Sequence, residues 1–120
     1  MKRYKVTVTT ASDGTATAYT PRLSGKIMQI EYVKTDYANG VDFTITGEAT
    51  GIGLWTESDV NASAVRAPRQ PTHSQAGAAA LYASGGVGVL APIALANDRV
   101  KIVLGQGGSA KVGVFHVVVE

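Results

Sequence analysis

Cysteine is absent from this 120-residue chain, and histidine occurs only twice. Without thiols the chain has no disulfide framework and no thiolate ligands for zinc. A zinc site needs three or four ligands, so His73 and His116 would need carboxylates from elsewhere in the chain. The aspartates near predicted turns lack the Asp-x-Asp-x-Asp spacing of a calcium loop. We therefore expect neither a metal site nor a cofactor.

Charged residues are also sparse, at 17% of the chain, and the formal net charge is +2. The densest basic group is Lys2, Arg3 and Lys5, and Arg66 and Arg69 follow in a later segment. Nucleic-acid-binding domains cluster Lys and Arg on one face, so these scattered bases predict no nucleic-acid partner. A weakly basic surface instead favours an acidic protein partner.

No long apolar run is present. The start, MKRYKVTV, is basic but is not followed by the apolar stretch of a secretory signal peptide. No segment approaches the roughly 20 apolar residues of a membrane helix. We expect the protein to remain in the compartment where it is made, without a membrane partner.

Catalytic motifs are missing as well. No Gly-x-Ser-x-Gly element marks a serine nucleophile. The glycine-rich turn at residues 105–109 lies between two predicted strands and lacks the helix and the Gly-Lys-Ser/Thr of a phosphate loop. Acidic residues near turns, such as Asp42 and Glu57, are ordinarily solvated rather than paired for glycoside chemistry. We predict no enzymatic activity.

Alternation of apolar and polar residues dominates what is present. The stretch from Gly25 to Ser58 is predicted to contain three strands joined by two glycine-containing turns. In its first strand, Met28, Ile30 and Tyr32 share the predicted core face, and Ile27 lies on the other face.

The whole chain is predicted to hold about eight short strands, with turn signals every 8–12 residues. This pattern indicates an all-β, single-domain antiparallel β-sandwich of jelly-roll type over residues 1–120. Residues 1–5 are a candidate N-terminal arm. Residues 59–75, which contain Pro68 and Pro71, are predicted to be a long loop because proline cannot donate to a strand ladder.

The last predicted strand is apolar on both faces, which suggests that it is covered by the core on one side and by a loop or another subunit on the other. We therefore place Phe115 and Val117 at a candidate subunit interface, and we add the single tryptophan, Trp55, for which the sequence favours either a core or an interface position. An alternative use of Trp55 is a sugar-stacking platform with Tyr32 or Tyr37, although the chain is only 7% aromatic.

Two regions have a distinctive order of strands and turns. The first is GKIMQIEYVK followed by YANGVDFTITGEATG and Leu54-Trp55, and the second is the C-terminal hairpin NDRVKIVLGQGGSAKVGVFHVVV. Both regions resemble small all-β structural proteins of tailed bacteriophages. The resemblance covers about half of the chain and implies a capsid decoration, or cement, protein. Such proteins bind the outside of the phage head, often as trimers or dimers, and hold neighbouring major capsid subunits together.

The resemblance implies no catalytic residues and no cofactor. It implies assembly in the host cytoplasm, a final location on the capsid exterior, the major capsid protein as partner, and a homo-oligomer of this chain, with a trimer favoured over a dimer. On this hypothesis Lys2, Arg3, Lys5, Arg66 and Arg69 are the candidate capsid contacts.

Two alternatives remain open from the sequence. One is another virion β domain, associated with the tail, neck or fibre. The other is a carbohydrate-binding β-sandwich module.

Overall fold

The computed structural model describes all residues from 1 to 120. It contains ten β-strands and no helix. The strands are β1 (Lys2–Thr9), β2 (Ala16–Tyr19), β3 (Leu23–Lys34), β4 (Asp42–Gly47), β5 (Gly53–Glu57), β6 (Ala64–Arg66), β7 (Arg69–Pro71), β8 (Leu90–Asp98), β9 (Val100–Gly105) and β10 (Val112–Val119). None of the chain forms a helix that could cross a membrane.

The strands form two antiparallel sheets. The first has the order β1-β10-β3-β8-β7, with β6 also paired to β3, and the second has the order β2-β9-β4-β5. Pairing is nested along the chain: β1 with β10, β2 with β9, β3 with β8, and β4 with β5. Successive pairs alternate between the two sheets, which is the arrangement of a jelly roll. The predicted all-β sandwich of jelly-roll type is confirmed.

One hydrophobic core of 21 buried residues, drawn from both sheets, lies between them. Its centre is an aromatic cluster in which the rings of Tyr32, Phe43 and Phe115 lie 4.8 to 5.3 Å apart, centroid to centroid. Edge-to-face and offset arrangements at such distances are favourable for aromatic pairs. The alternation predicted for β4 is confirmed, since Phe43 and Ile45 are buried and Thr44 between them is exposed.

Strand β3 departs from the predicted assignment of its faces. Ile30 and Tyr32 face the core as expected, but Ile27 is also fully buried and Met28 is only half-buried. The reason is a β-bulge, because the pairing with β10 skips Met28. One extra residue moves every residue before it to the opposite face of the sheet.

The two predicted irregular segments are wrong in part. Residues 2–5 do not form a free arm, because β1 pairs with β10 from Lys2 onward, which gives these residues the backbone partners of a sheet. Residues 59–75 are not one loop, because β6 pairs with β3 and β7 pairs with β8. Pro71 is compatible with β7 because β7 lies at a sheet edge, where a missing N–H leaves no neighbour unsatisfied.

Candidate interaction surfaces

No group of three or more His, Asp or Glu residues is close enough to hold a metal ion. The largest cleft, of about 400 Å³, lies at one end of the sandwich, where Lys2, Arg22 and Glu120 mix opposite charges with apolar side chains. The guanidinium of Arg22 donates a hydrogen bond of 3.0 Å to the carbonyl of Asn97, so this cation of the cleft already has a partner within the chain.

The five predicted capsid-contact cations do not form one patch. Arg3 and Lys5 lie on the solvent face of β1, where they alternate with the buried Val6 and Val8. Lys2 lies at the cleft at the end of the sandwich. Arg66 and Arg69 lie toward the opposite edge of the same sheet, since β10 and β3 separate β1 from β6, and β10, β3 and β8 separate β1 from β7. The three strand spacings from β1 to β6 amount to about 14 Å, so the cations of β1 and those of β6 and β7 do not share one patch.

Arg66 is committed to an intramolecular contact. Its guanidinium donates two hydrogen bonds to the Glu57 carboxylate, each of 3.0 Å, and lies 5.3 Å from the centroid of the Trp55 ring. The Trp55 indole N–H donates to the same carboxylate at 3.0 Å. This latch joins β6 of one sheet to β5 of the other and closes the edge of the sandwich. Because Glu57 neutralises its charge, Arg66 is a poor candidate for a capsid contact.

Arg3, Lys5 and Arg69, by contrast, have no carboxylate partner. The only two ion pairs in the molecule are Arg66–Glu57 and Arg99–Glu48. In the second pair, the hydrogen bond and the positive charge of Arg99 hold the pKa of the Glu48 carboxyl below its usual value. The free cations of β1 therefore remain available to a partner.

The prediction of a subunit interface at Trp55, Phe115 and Val117 is wrong. Phe115 and Val117 are fully buried inside the monomer, and Trp55 is 5% exposed. Tyr32 and Tyr37 are buried too, so the predicted sugar-stacking platform does not exist at the surface. The two faces of β10 carry the predicted residues, but the face predicted to be an interface is the one that packs in the core.

The outward face of β10 carries the apolar surface instead. Val112, Val114, His116 and Val118 point to the outside of the first sheet, where polar residues are usual in a solvated sandwich. Val33 on β3 and Val65 on β6 extend this surface and are 37% and 47% exposed. We call these six residues the valine face. Nδ1 of His116 has no hydrogen-bond partner in the monomer.

A second surface is formed by residues 69–92, which we call the projection. It begins with the pairing of β7 and β8 and continues through two tight turns at residues 74–77 and 83–86. Isolated bridges join His73 to Ala79 and Leu81 to Gly88. Strands β8 and β3 separate at Pro92. The pairing of β8 with β3 starts only at Ile93, and Pro92 has no N–H to donate to a neighbouring strand.

The projection stands away from the core. No residue between 61 and 92 is buried. The radius of gyration is 15.8 Å, whereas a compact domain of this length has about 13.6 Å. Within the projection, Leu81, Tyr82, Val87 and Leu90 are 43%, 76%, 75% and 54% exposed. Large apolar side chains grouped on an exposed segment usually mark a contact surface.

The sequence contains a signal for the projection that motif searching missed. No Asp, Glu, Lys or Arg occurs between residues 70 and 97. An exposed segment of that length ordinarily carries several charges, and the centres of protein interfaces are depleted in charge and enriched in tyrosine. Reading absence of charge as a contact signal would have moved the predicted contact loop from residues 59–75 toward residues 70–92.

No protein-family model, curated protein or solved structure matches the chain.

Proposed function

We propose that this chain is a capsid decoration protein, which binds the outside of a phage head and stabilises contacts between major capsid subunits. The proposal rests on the resemblance of its strand and turn sequences to phage structural proteins and on one structural observation. That observation is the display of two separate exposed surfaces on the jelly roll: the edge strand β1, which carries Arg3 and Lys5, and the projection, which carries no charged residue after Arg69.

The size of the apolar surface supports a multivalent role. Burying a Leu or Val side chain completely stabilises a complex by about 2 kcal/mol. The four exposed apolar side chains of the projection, at 43–76% exposure, therefore provide roughly 5 kcal/mol. Association of two proteins costs on the order of 4–15 kcal/mol in lost freedom. The free energy gained by one such contact is therefore close to the cost of association. Stable attachment requires several contacts made at once, as on a symmetric head.

In this proposal the charged part of the capsid contact is assigned to the solvent face of β1. Arg3 and Lys5 project from a paired strand and have no carboxylate partner within the chain. A rigid strand holds the two cations about two residue steps, or roughly 7 Å, apart. Such a pair suits an acidic strip on the capsid surface. Arg66 is removed from the predicted set because Glu57 already neutralises it.

The test is co-sedimentation of the purified protein with emptied phage heads that lack it. The double variant Arg3→Glu/Lys5→Glu should bind heads at least about tenfold more weakly, and wild-type binding should weaken as salt is added. The matched control is Lys101→Glu/Lys111→Glu, which changes the net charge equally but lies on β9 and in the turn before β10. Equal binding by both variants would contradict the assignment to β1, and absence of wild-type binding would contradict the decoration role.

A further inference from the structure

We infer that an extended acidic segment of a partner protein binds beside β1 and adds one antiparallel strand to the first sheet. The inference rests on the proposed function for the identity of the partner, because it says how the capsid contact of β1 is made. Two features of β1 carry it: an open backbone edge and the cations that project from the same residues.

Strand β1 is the one long and regular edge of the sandwich. The other edge strands are blunted, since β6 and β7 have three residues each, β2 has four, and the pairing of β5 with β4 contains a β-bulge. Short strands and bulges are common ways in which proteins prevent a further strand from pairing. Strand β1 has eight residues and pairs with β10 without a register shift. It therefore has the length and regularity that strand addition requires.

The backbone groups along the outer side of β1 are free. In an antiparallel pair, the residues that bond to the neighbouring strand alternate with residues that do not. The N–H of Thr10 donates to the carbonyl of Lys111 at 2.8 Å, so the unbroken register directs the even-numbered residues of β1 toward β10. The N–H and C=O groups of Arg3, Lys5 and Thr7 therefore point away from the sheet, and no hydrogen bond within the chain uses them.

The exposed side chains of the same residues select an acidic partner. Arg3 and Lys5 have no ion-pair partner, and β1 contains no acidic residue. A second copy of β1 would bring like charges together across the new strand pair, which is destabilising, whereas Asp or Glu at the facing positions is stabilising. Because side chains alternate between the two faces of a sheet, the acidic residues must occupy alternate positions of the added strand.

The inner side of this edge adds a second requirement. Strands β1 and β2 are edges of the two sheets and lie on the same side of the sandwich. Tyr4, Ala16 and Ala18 pack against the core from these two strands and are only half-buried. The residues between the acids of the added strand point inward over these side chains. The predicted segment therefore alternates Asp or Glu with apolar β-branched residues, which also favour the strand conformation.

The test titrates the isotopically labelled full chain with a capped synthetic peptide, Thr-Glu-Val-Glu-Val-Thr, and follows the backbone amides by NMR. The amides of Arg3, Lys5 and Thr7 should exchange with solvent roughly fivefold more slowly once about 80% of the chains carry peptide, because only free chains then exchange. Val6, which already bonds to β10, should change least. The control peptide Thr-Glu-Glu-Val-Val-Thr, with one acid on the wrong face, should bind at least about fivefold more weakly.

A proline substitution separates strand addition from charge attraction. Thr7→Pro removes an outward N–H and leaves the bonds to β10 and every charge in place, so the peptide should bind at least about fivefold more weakly. The matched control is Thr56→Pro in β5, at the edge of the second sheet, where the N–H also points away from the paired strand. It should bind the peptide as the wild type does.

A charge exchange tests the pairing of side chains and remains informative if the proline variant does not fold. Arg3→Glu/Lys5→Glu should bind the acidic peptide at least about tenfold more weakly and should bind Thr-Lys-Val-Lys-Val-Thr, which the wild type rejects.

Absence of amide protection, a folded Thr7→Pro chain with wild-type affinity, or failure of the lysine peptide to bind the double variant would each overturn the inference. Peptide binding without head binding would count against the decoration role alone, and head binding without amide protection by the peptide would overturn strand addition alone.

Discussion

Replacing Gly113 by alanine should destabilise the fold by a predictable amount. A Cβ atom at Gly113 would lie 2.2 Å from Cε2 and 2.6 Å from Cζ of Tyr37. The ring of Tyr37 cannot move freely, because it is buried and its hydroxyl donates a 2.5 Å hydrogen bond to the carbonyl of Val8. Overpacking of a core costs about 1–3 kcal/mol, and loss of that hydrogen bond costs about 1 kcal/mol. We expect a total loss of about 2–4 kcal/mol.

Urea and thermal unfolding would measure this loss. For 120 residues the unfolding entropy implies a fall in melting temperature of roughly 8–16 °C. Gly53→Ala is the matched control: it is also a strand glycine, but a Cβ there meets no atom within 4 Å, so its stability should change by less than about 1 kcal/mol.

A double-mutant cycle identifies the cause. Tyr37→Ala removes the ring that the new Cβ would strike, so Gly113→Ala should cost at least about 1 kcal/mol less in that background than in the wild type. Strict additivity of the two changes, or a Gly113→Ala protein as stable as the Gly53→Ala control, would refute the reasoning.

Two further predictions concern buried and latched polar groups. Tyr32→Phe should stabilise the protein at neutral pH by about 1 kcal/mol, because it removes a buried hydroxyl that has no hydrogen-bond partner. Burial, with a smaller contribution from Asp36, raises the pKa of Tyr32 to about 12, so the stabilisation from the neutral form is present below pH 10 and is lost between about pH 10 and 12. Urea unfolding across this pH range should show a smaller loss of stability in the variant than in the wild type. An equal loss would contradict the assignment of this pH dependence to Tyr32. Arg66→Ala should cost about 1 kcal/mol, because the pair with Glu57 is partly exposed, and should speed amide exchange in β6; unchanged exchange there would exclude a latch.

Local patterns explain which parts of the fold were predictable. Strands such as β4 and β10 bury one face, and period-2 alternation is a direct consequence of that burial. The jelly-roll class followed from the number and spacing of such strands. The nested order did not, because the pairing of β1 with β10 joins residues more than 100 positions apart and leaves no local trace. The bulge at Met28 was equally invisible, since it depends on the register with β10.

The contact surfaces were harder to predict, for two physical reasons. Which face of a strand meets the second sheet is decided by the tertiary fold, so the face of β10 that carries Phe115 and Val117 was predicted to be an interface although it packs in the core. Whether a cation is free depends on its neighbours in space, and the pairing of Arg66 with Glu57 requires β6 to pack beside β5. The outward orientation of Arg3 and Lys5 was predictable, because it follows from the alternation of β1.

Cryo-electron microscopy of the phage particle, with and without the gene for this chain, tests the central proposal most directly. The decoration role predicts a jelly-roll density on the outside of the head at regular positions, with β1 against the major capsid protein, and its absence when the gene is deleted. A density confined to the tail, neck or fibres, or particles identical in both preparations, would contradict it.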